Sequence, residues 1–169
     1  LPTTDAAELS QWMLRGANRK NLTLYLETFA HTVGVMQTEA ALHRVARECA
    51  EDLAADGVVY AEIRFAPELH TERGLSLDAV IEAVLAGFDA GSTSTDLTIR
   101  VICSAMRHQN NGLDVAQVAV RYRDHGVVAF DIAGPEDGFP PDDHLVAFQF
   151  CQRENFHITI HAGEAYGPR

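Results

Sequence analysis

No run of about 18 apolar residues occurs in the 169, which excludes a membrane-spanning helix. Clustered Lys and Arg are missing too, and a formal charge of −11 opposes a phosphate backbone, so no nucleic-acid or membrane partner is expected. Cysteine is scarce: Cys49, Cys103 and Cys151 are odd in number, widely spaced and set among apolar neighbours. That pattern suits buried reduced thiols rather than disulfides and points to a cytoplasmic location. No G-x-G-x-x-G follows a strand and no Walker-type loop exists, so neither dinucleotide nor P-loop chemistry is signalled. No low-complexity tract or repeat divides the chain, although "AGSTSTD" (90–96) reads as a flexible loop. A signal peptide and an initiator Met are both lacking, and the ends at Leu1 and Arg169 read as cut.

What is present is 47% hydrophobic and 22% charged, the balance of a packed globular domain. The first 56 residues carry helical periodicity alone. "DAAELSQWMLRG" sets Leu9, Trp12 and Met13 at helical spacing with Gly16 as a stop, and "NLTLYLETFAHTVGVM" puts Leu22, Tyr25, Leu26, Phe29 and Val33 on one face. A third helix starts at Thr38 as N-cap, repeats Leu42, Val45, Ala46, Cys49 and Leu53, and closes at Gly57. Thereafter the period changes. Short β-branched or aromatic runs at 58–67, 97–106, 126–134 and 157–163 alternate with amphipathic segments at 76–88, 112–126 and 141–155.

Strands alternating with helices of crossover length imply parallel pairing, and with dinucleotide motifs absent a (β/α)8 barrel is preferred over a doubly wound sheet. The polar residues gather at the strand ends: Glu62 and Arg64, Arg107 and His108, Asp131 and Glu136, His161 and Glu164. Carboxyl ends of parallel strands are where such folds build their sites. In the last strand His157, Thr159 and His161 share a face, but residues four apart stand about 13 Å from each other at roughly 3.3 Å per residue, so the two histidines cannot share a metal. His161, at the site end, is the ligand candidate, with Glu164 close enough to lean over the same spot. Metal-activated water beside a non-ligand carboxylate is hydrolase chemistry. Each feature read singly has a structural alternative: a strand-end histidine, a β-to-α turn at Gly134, a salt bridge from Arg107 to a neighbouring carboxylate, and a buried ion-paired layer of Glu62 and Arg64.

Taken together, "VVYAEIRFAPELH", "CSAMRH", "GVVAFDIAGPE" and "TIHAGE", in that order, resemble the adenosine deaminase family, zinc-dependent purine-salvage enzymes of the metal-dependent amidohydrolase superfamily with a (β/α)8 fold. The resemblance runs from about residue 22 to the end. It implies that His161 is a zinc ligand and that Glu164 is the acid protonating the purine ring nitrogen beside the reacting carbon. It further implies that Gly134 offers its backbone N–H to the far side of the base, that Met106 and Asp131 belong to the substrate pocket, and that Tyr25, Leu26 and Phe29 lid it. The implied reaction is hydrolysis of adenosine or 2'-deoxyadenosine to the inosine product and ammonia, a small purine nucleoside being the partner. Related adenine, AMP-type and N6-methyl-AMP deaminases are the alternatives, as is a non-catalytic fragment that only self-associates. The cytidine-deaminase signature is absent.

Departures from the family pattern set a further expectation. No His-x-His occurs, and of the eight histidines only His161 matches a ligand, so three of the family's four protein ligands are missing. A (β/α)8 barrel takes about 250 residues. The chain therefore reads as an internal fragment, with residues 1–56 as lid and connecting helices and 57–169 as four β/α units, about strands two to five. Such a half-barrel would leave two unpaired edges and an uncovered apolar face, would be prone to self-association, and would bind zinc poorly by itself.

Overall fold

Four β-branched and aromatic runs form one parallel sheet in sequence order, with β1 at Tyr60–Phe65, β2 at Thr98–Met106, β3 at Val127–Ala133 and β4 at His157–Ile158. The computed structural model describes residues 3–18 and 20–165. Register places Arg64 beside Ile102, Ser104 beside Asp131, Met106 beside Ala133 and Ala129 beside His157. β4 is short, yet its pairing with β3 continues: Thr159 N–H donates to Phe130 O at 2.8 Å and His161 N–H to Ile132 O at 3.1 Å. The backbone pairing thus carries on to His161, although the strand expected over 157–163 is regular only at His157–Ile158.

Seven helices accompany the strands among the described residues: α1 Ala6–Ala17, α2 Leu22–Leu26, α3 Phe29–Val35, α4 Glu39–Ala55, α5 Leu77–Ser92, α6 Gly112–Arg121 and α7 Leu145–Arg153. Side-chain caps start α1, α2, α4 and α5, where Asp5, Asn21, Thr38 and Ser76 accept from Glu8, Leu24, Ala41 and Ala79 N–H. Gly57, at φ +82°, ends α4 in a conformation that favours glycine. None of the described helices is long and apolar enough to cross a membrane.

Because side chains alternate across a strand, one face of the sheet carries Ile63, Phe65, Val101, Cys103, Ala105, Phe130 and Ile132, which pack into the core with Val80, Ile81, Val84, Phe88, Val115 and Val118 of the covering helices. Burying each large side chain contributes roughly 1.5–3 kcal/mol, so this face holds the unit together. α4 stacks on α5 at close range, since a Cβ added at Gly87 or Gly91 would press into the His43 or Arg47 carbonyl and stand 2.7 Å from Ala46 or Ala50 Cβ. Helix α5 therefore runs on through Ser92, where the sequence suggested a loop.

Several expectations need correction. Glu62 and Arg64 are exposed rather than buried, and they do not pair: Tyr60 Oη donates to Glu62 at 2.7 Å, while Arg64 turns to Thr159 and Asp131. The other face of the sheet is mixed rather than apolar: Glu62, Arg64, Ser104, Asp131, Thr159 and His161 lie on it beside Ile102, Met106 and Ala129. The second helix breaks into α2 and α3 where Thr28 N–H and Oγ1 both turn back to Tyr25 O, at 3.1 and 2.7 Å. Gly16 lies inside α1 and does not stop it; it is there because an added Cβ would collide with Thr28 Cγ2. Val45 is exposed on α4. The segments at 112–126 and 141–155 each include a short 3-10 turn beside the α-helix, at Arg123–His125 and at Pro141–His144.

Candidate active site

Where β2, β3 and β4 end, their inward residues converge on one carboxylate. Asp131 is fully buried and accepts from Ser104 Oγ at 2.7 Å, from Thr159 Oγ1 at 3.0 Å and from His161 Nδ1 at 2.8 Å. A carboxylate only accepts, so His161 carries a proton on Nδ1, and in the neutral ring Nε2 is then the lone pair. Nε2 has no hydrogen-bond partner among the described residues. Arg64 adds a cation at the rim, with Nε 3.6 Å from Asp131 Oδ2 and Nη2 donating to Thr159 Oγ1 at 3.1 Å.

Main-chain contacts fix His161 as firmly as its ring. Its N–H is in the β3 pairing, and its carbonyl accepts from Arg107 Nη2 at 2.6 Å. Arg107 is only 3% exposed and sends Nη1 to Phe139 O at 2.8 Å, so the expected salt bridge to a barrel carboxylate is replaced by a clamp on two carbonyls. His144 Nε2 in turn lies 3.2 Å from Arg107 O. His108 is exposed, with its ring edge-on to Phe139.

Gly134 ends β3 at φ +99°, a conformation that penalises any side chain. A Cβ there would stand 2.8 Å from Met106 Cε, so the glycine also makes room for the methionine at the end of β2. Met106 N–H donates to Glu68 Oε1 at 2.5 Å. Burial pushes the Glu68 carboxyl above the ordinary carboxylate range, against the pull of that amide. Glu164 is exposed in the turn after His161, and the neighbouring amides of Gly163 and Ala165 bond to Glu136 at 2.9 and 2.6 Å.

The structure thus brings Met106, Asp131, Gly134, His161 and Glu164 to the carboxyl end of three adjacent strands. Tyr25, Leu26 and Phe29 straddle the α2–α3 break, with the Tyr25 and Phe29 rings edge-on at 5.1 Å and both exposed. Their segment is tied to the turn after β1, because Gln37 Nε2 donates to Leu69 O at 2.7 Å and His70 Nδ1 to Met36 O at 2.9 Å. A neighbouring cavity of about 340 Å³, lined by Arg107, Glu136 and Phe139 among others, includes neither His161 nor Gly134. Ser104, Glu68 and the bonding of Glu136 were missed by sequence reasoning; Ser104 was discoverable as the inward position two before Met106.

The residues present fit one corner of a metal site. His161 has its second nitrogen fixed by a carboxylate, the arrangement that orients imidazole ligands. No group of three or more His, Cys, Asp or Glu that could hold a metal ion occurs among the described residues. The thiols are unsuited to nucleophilic work: burial pushes Cys103 up to about 12 and Cys151 up to about 11.

Comparison with known proteins gives this rim a context. The profile of the family described as adenosine deaminase matches residues 1–169. An adenosine deaminase from Mycolicibacterium gilvum is 57% identical over 172 residues, covering 99% of this chain and 48% of the relative. Adenosine deaminase 1 from Streptomyces coelicolor is 56% identical, covering 99% of this chain and 43% of its own length. The chain therefore spans about half the length of the curated relatives it matches. Among solved structures, Arabidopsis ADAL complexed with IMP superposes at TM-score 0.84 with 25% identity, over 96% of this chain and 50% of that one. An adenine deaminase from Arthrobacter aurescens gives 0.83 at 25% identity, over 99% and 50%. An amidohydrolase from Burkholderia ambifaria with bound Zn gives 0.74 at 25% identity, over 94% and 44%. The α/β sheet described above is thus part of a TIM-type barrel of the metal-dependent hydrolase kind, and this chain belongs to the adenosine deaminase family.

Proposed function

We propose that the full-length protein containing this chain is a zinc-dependent hydrolase converting adenosine and 2'-deoxyadenosine to their inosine products and ammonia. The observation that carries the reading is the His161 ring, its Nδ1 held 2.8 Å from buried Asp131 and its Nε2 left open at the strand ends. His161, with ligands from the rest of the full-length protein, would hold the zinc, which would supply Lewis-acid activation of water near neutral pH. The remaining work falls to residues of this chain. Asp131 fixes the imidazole tautomer, and Arg107 holds the backbone beneath it. Glu164 delivers a proton to N1 of the purine, so that ring nitrogen takes up the electron pair displaced as water oxygen bonds to C6. Loss of the 6-amino group as ammonia, carrying off a proton given up by the attacking water, then restores the ring and leaves the carbonyl at C6. Gly134 offers its N–H to the opposite side of the base, Met106 packs beneath it, and Tyr25, Leu26 and Phe29 cover the base from above. Three free thiols, two of them buried, suit the reducing cytoplasm.

Adenine and N6-methyl-AMP-type deamination is the second reading, favoured by the superposition on ADAL with IMP and on adenine deaminase. Two observations favour the nucleoside. The adenosine deaminase relative is 57% identical, and the buried Arg107 guanidinium is committed through both Nη atoms to the Phe139 and His161 carbonyls rather than open to a phosphate. The test is kcat/KM of the purified full-length protein on adenosine, 2'-deoxyadenosine, adenine, AMP and N6-methyl-AMP. Adenosine and 2'-deoxyadenosine should lead by at least about tenfold, some 1.4 kcal/mol in transition-state binding. A lead for any nucleotide would reject the nucleoside reading.

A further inference from the structure

We infer that Glu136 is the positioning residue for Glu164, acting through the backbone of the turn that carries it. Its two carboxylate oxygens accept from the amides on either side of that residue, Oε1 from Gly163 N–H at 2.9 Å and Oε2 from Ala165 N–H at 2.6 Å. The turn needs an outside anchor. Ala162, Gly163, Glu164 and Ala165 are all exposed and lie in neither helix nor strand, and Gly163 takes φ +83°. The last strand bond before them is His161 N–H to Ile132 O. A carboxylate accepting two amides fixes both the place and the direction of the short segment between them, and such charge-assisted bonds are the strong ones.

Glu136 is itself held. It follows Gly134, at φ +99°, and Pro135, whose ring locks its own φ, and its carbonyl accepts from Phe139 N–H at 3.2 Å. One rigid three-residue segment therefore presents Gly134 to the substrate and grips the turn bearing Glu164. The turn following one strand end sets the geometry of the next. The inference rests on the reading of Glu164 as proton donor, a role in which misplacement by about 1 Å can cost about 10²-fold in rate.

The test uses the full-length protein, with amide hydrogen exchange and steady-state kinetics on Glu136→Ala, Glu136→Gln and Glu164→Gln. Glu136→Ala should speed exchange at Gly163 and Ala165 by at least about tenfold while leaving the β3–β4 amide of His161 protected, as expected for local opening. It should lower kcat by about 10²-fold with KM within about threefold, and Glu136→Gln, which keeps one acceptor oxygen, should fall between. Added to Glu164→Gln, Glu136→Ala should cost nothing further, because the two act as one unit. Unchanged exchange at Gly163 and Ala165 would overturn the inference whatever the activity. So would an equal further loss of rate in the Glu164→Gln background, which marks a general structural role. If Glu164→Gln retains full rate, the proposed function of Glu164 fails instead, and the exchange result alone still decides whether Glu136 holds the turn.

Discussion

Replacing Asp131 by Asn tests the hub of the rim with almost no change of shape. The carboxylate accepts from Ser104 Oγ, Thr159 Oγ1 and His161 Nδ1 at 2.7, 3.0 and 2.8 Å. An amide offers one oxygen and an NH₂ group that has to donate. Ser104 and His161 share Oδ2, so the amide oxygen can take that place and keep the His161 Nδ1–H bond, while the Thr159 hydroxyl turns to accept from the NH₂ on the other side. Trading charge-assisted for neutral bonds costs about 1 kcal/mol each, or about 3 kcal/mol for three, while relief from burying a charge returns part of that. Arg64, whose side chain is 39% exposed and 3.6 Å away, adds little. We expect a net loss of about 1–2 kcal/mol for Asp131→Asn, measured by denaturant unfolding. Asp131→Ala, which leaves all three donors facing a void, should cost about 3–5 kcal/mol. Zinc affinity is the sharper readout: Asp131→Ala removes the partner that orients the His161 ring, a loss that costs about 10- to 100-fold, whereas Asp131→Asn can keep it and should cost less. The assay is zinc competition against a chelator, alongside ¹⁵N NMR of the His161 ring in the zinc-free full-length protein. An Asp131→Ala variant that keeps the Nδ1–H tautomer and binds zinc within about twofold of wild type would refute the role given to Asp131.

Further outcomes follow from the same geometry. Glu164→Gln in the full-length protein should keep zinc and stability while losing about 10²- to 10⁴-fold in kcat, and a fall below about tenfold would remove Glu164 from general acid catalysis. Gly134→Ala places a side chain at φ +99° with its Cβ 2.8 Å from Met106 Cε, so a loss of about 1–3 kcal/mol with raised KM is expected by urea unfolding and kinetics. Burial lowers His70 from its ordinary 6.5, so the folded state resists protonating it; its contribution to stability is present above about pH 6.5 and is lost as pH falls toward the folded value. Stability measured from pH 7 downward should therefore decline less steeply in His70→Gln. The 169-residue chain by itself should turn over no adenosine, since a catalytic zinc site takes about three protein ligands, and it should self-associate through the open edges of β1 and β4, which sedimentation will show.

The order and direction of the strands were legible because each β-branched run is separated from the next by an amphipathic helix of crossover length, a pattern with few topological solutions. The convergence of Asp131, Gly134 and His161 was legible for the same reason, since strand ends in a parallel sheet share one side. Their bonding was not. The link from Glu136 to the amides of Gly163 and Ala165 spans 27 and 29 residues and involves backbone groups that no side-chain pattern announces. Glu62 and Arg64 were misread because opposite charges on one strand face suggest each other, whereas Tyr60 Oη and Asp131 offered nearer partners. Gly16 was misread because a glycine in sequence does not declare whether it serves a turn or a close approach; here Thr28 occupies the space. The apolar face of "NLTLYLETFAHTVGVM" is periodic straight across the α2–α3 break, and the local competition from Thr28 carries no periodic signature.

One measurement bears most directly on the account: the structure of the full-length protein with zinc and the inosine product bound. The account predicts His161 Nε2 at about 2.0–2.1 Å from the metal. It also predicts Nδ1 still on Asp131, the Glu164 carboxyl within hydrogen-bond reach of N1, and Gly134 N–H against the opposite side of the base. A metal held without His161, or a purine bound away from Gly134 and Glu164, would contradict it.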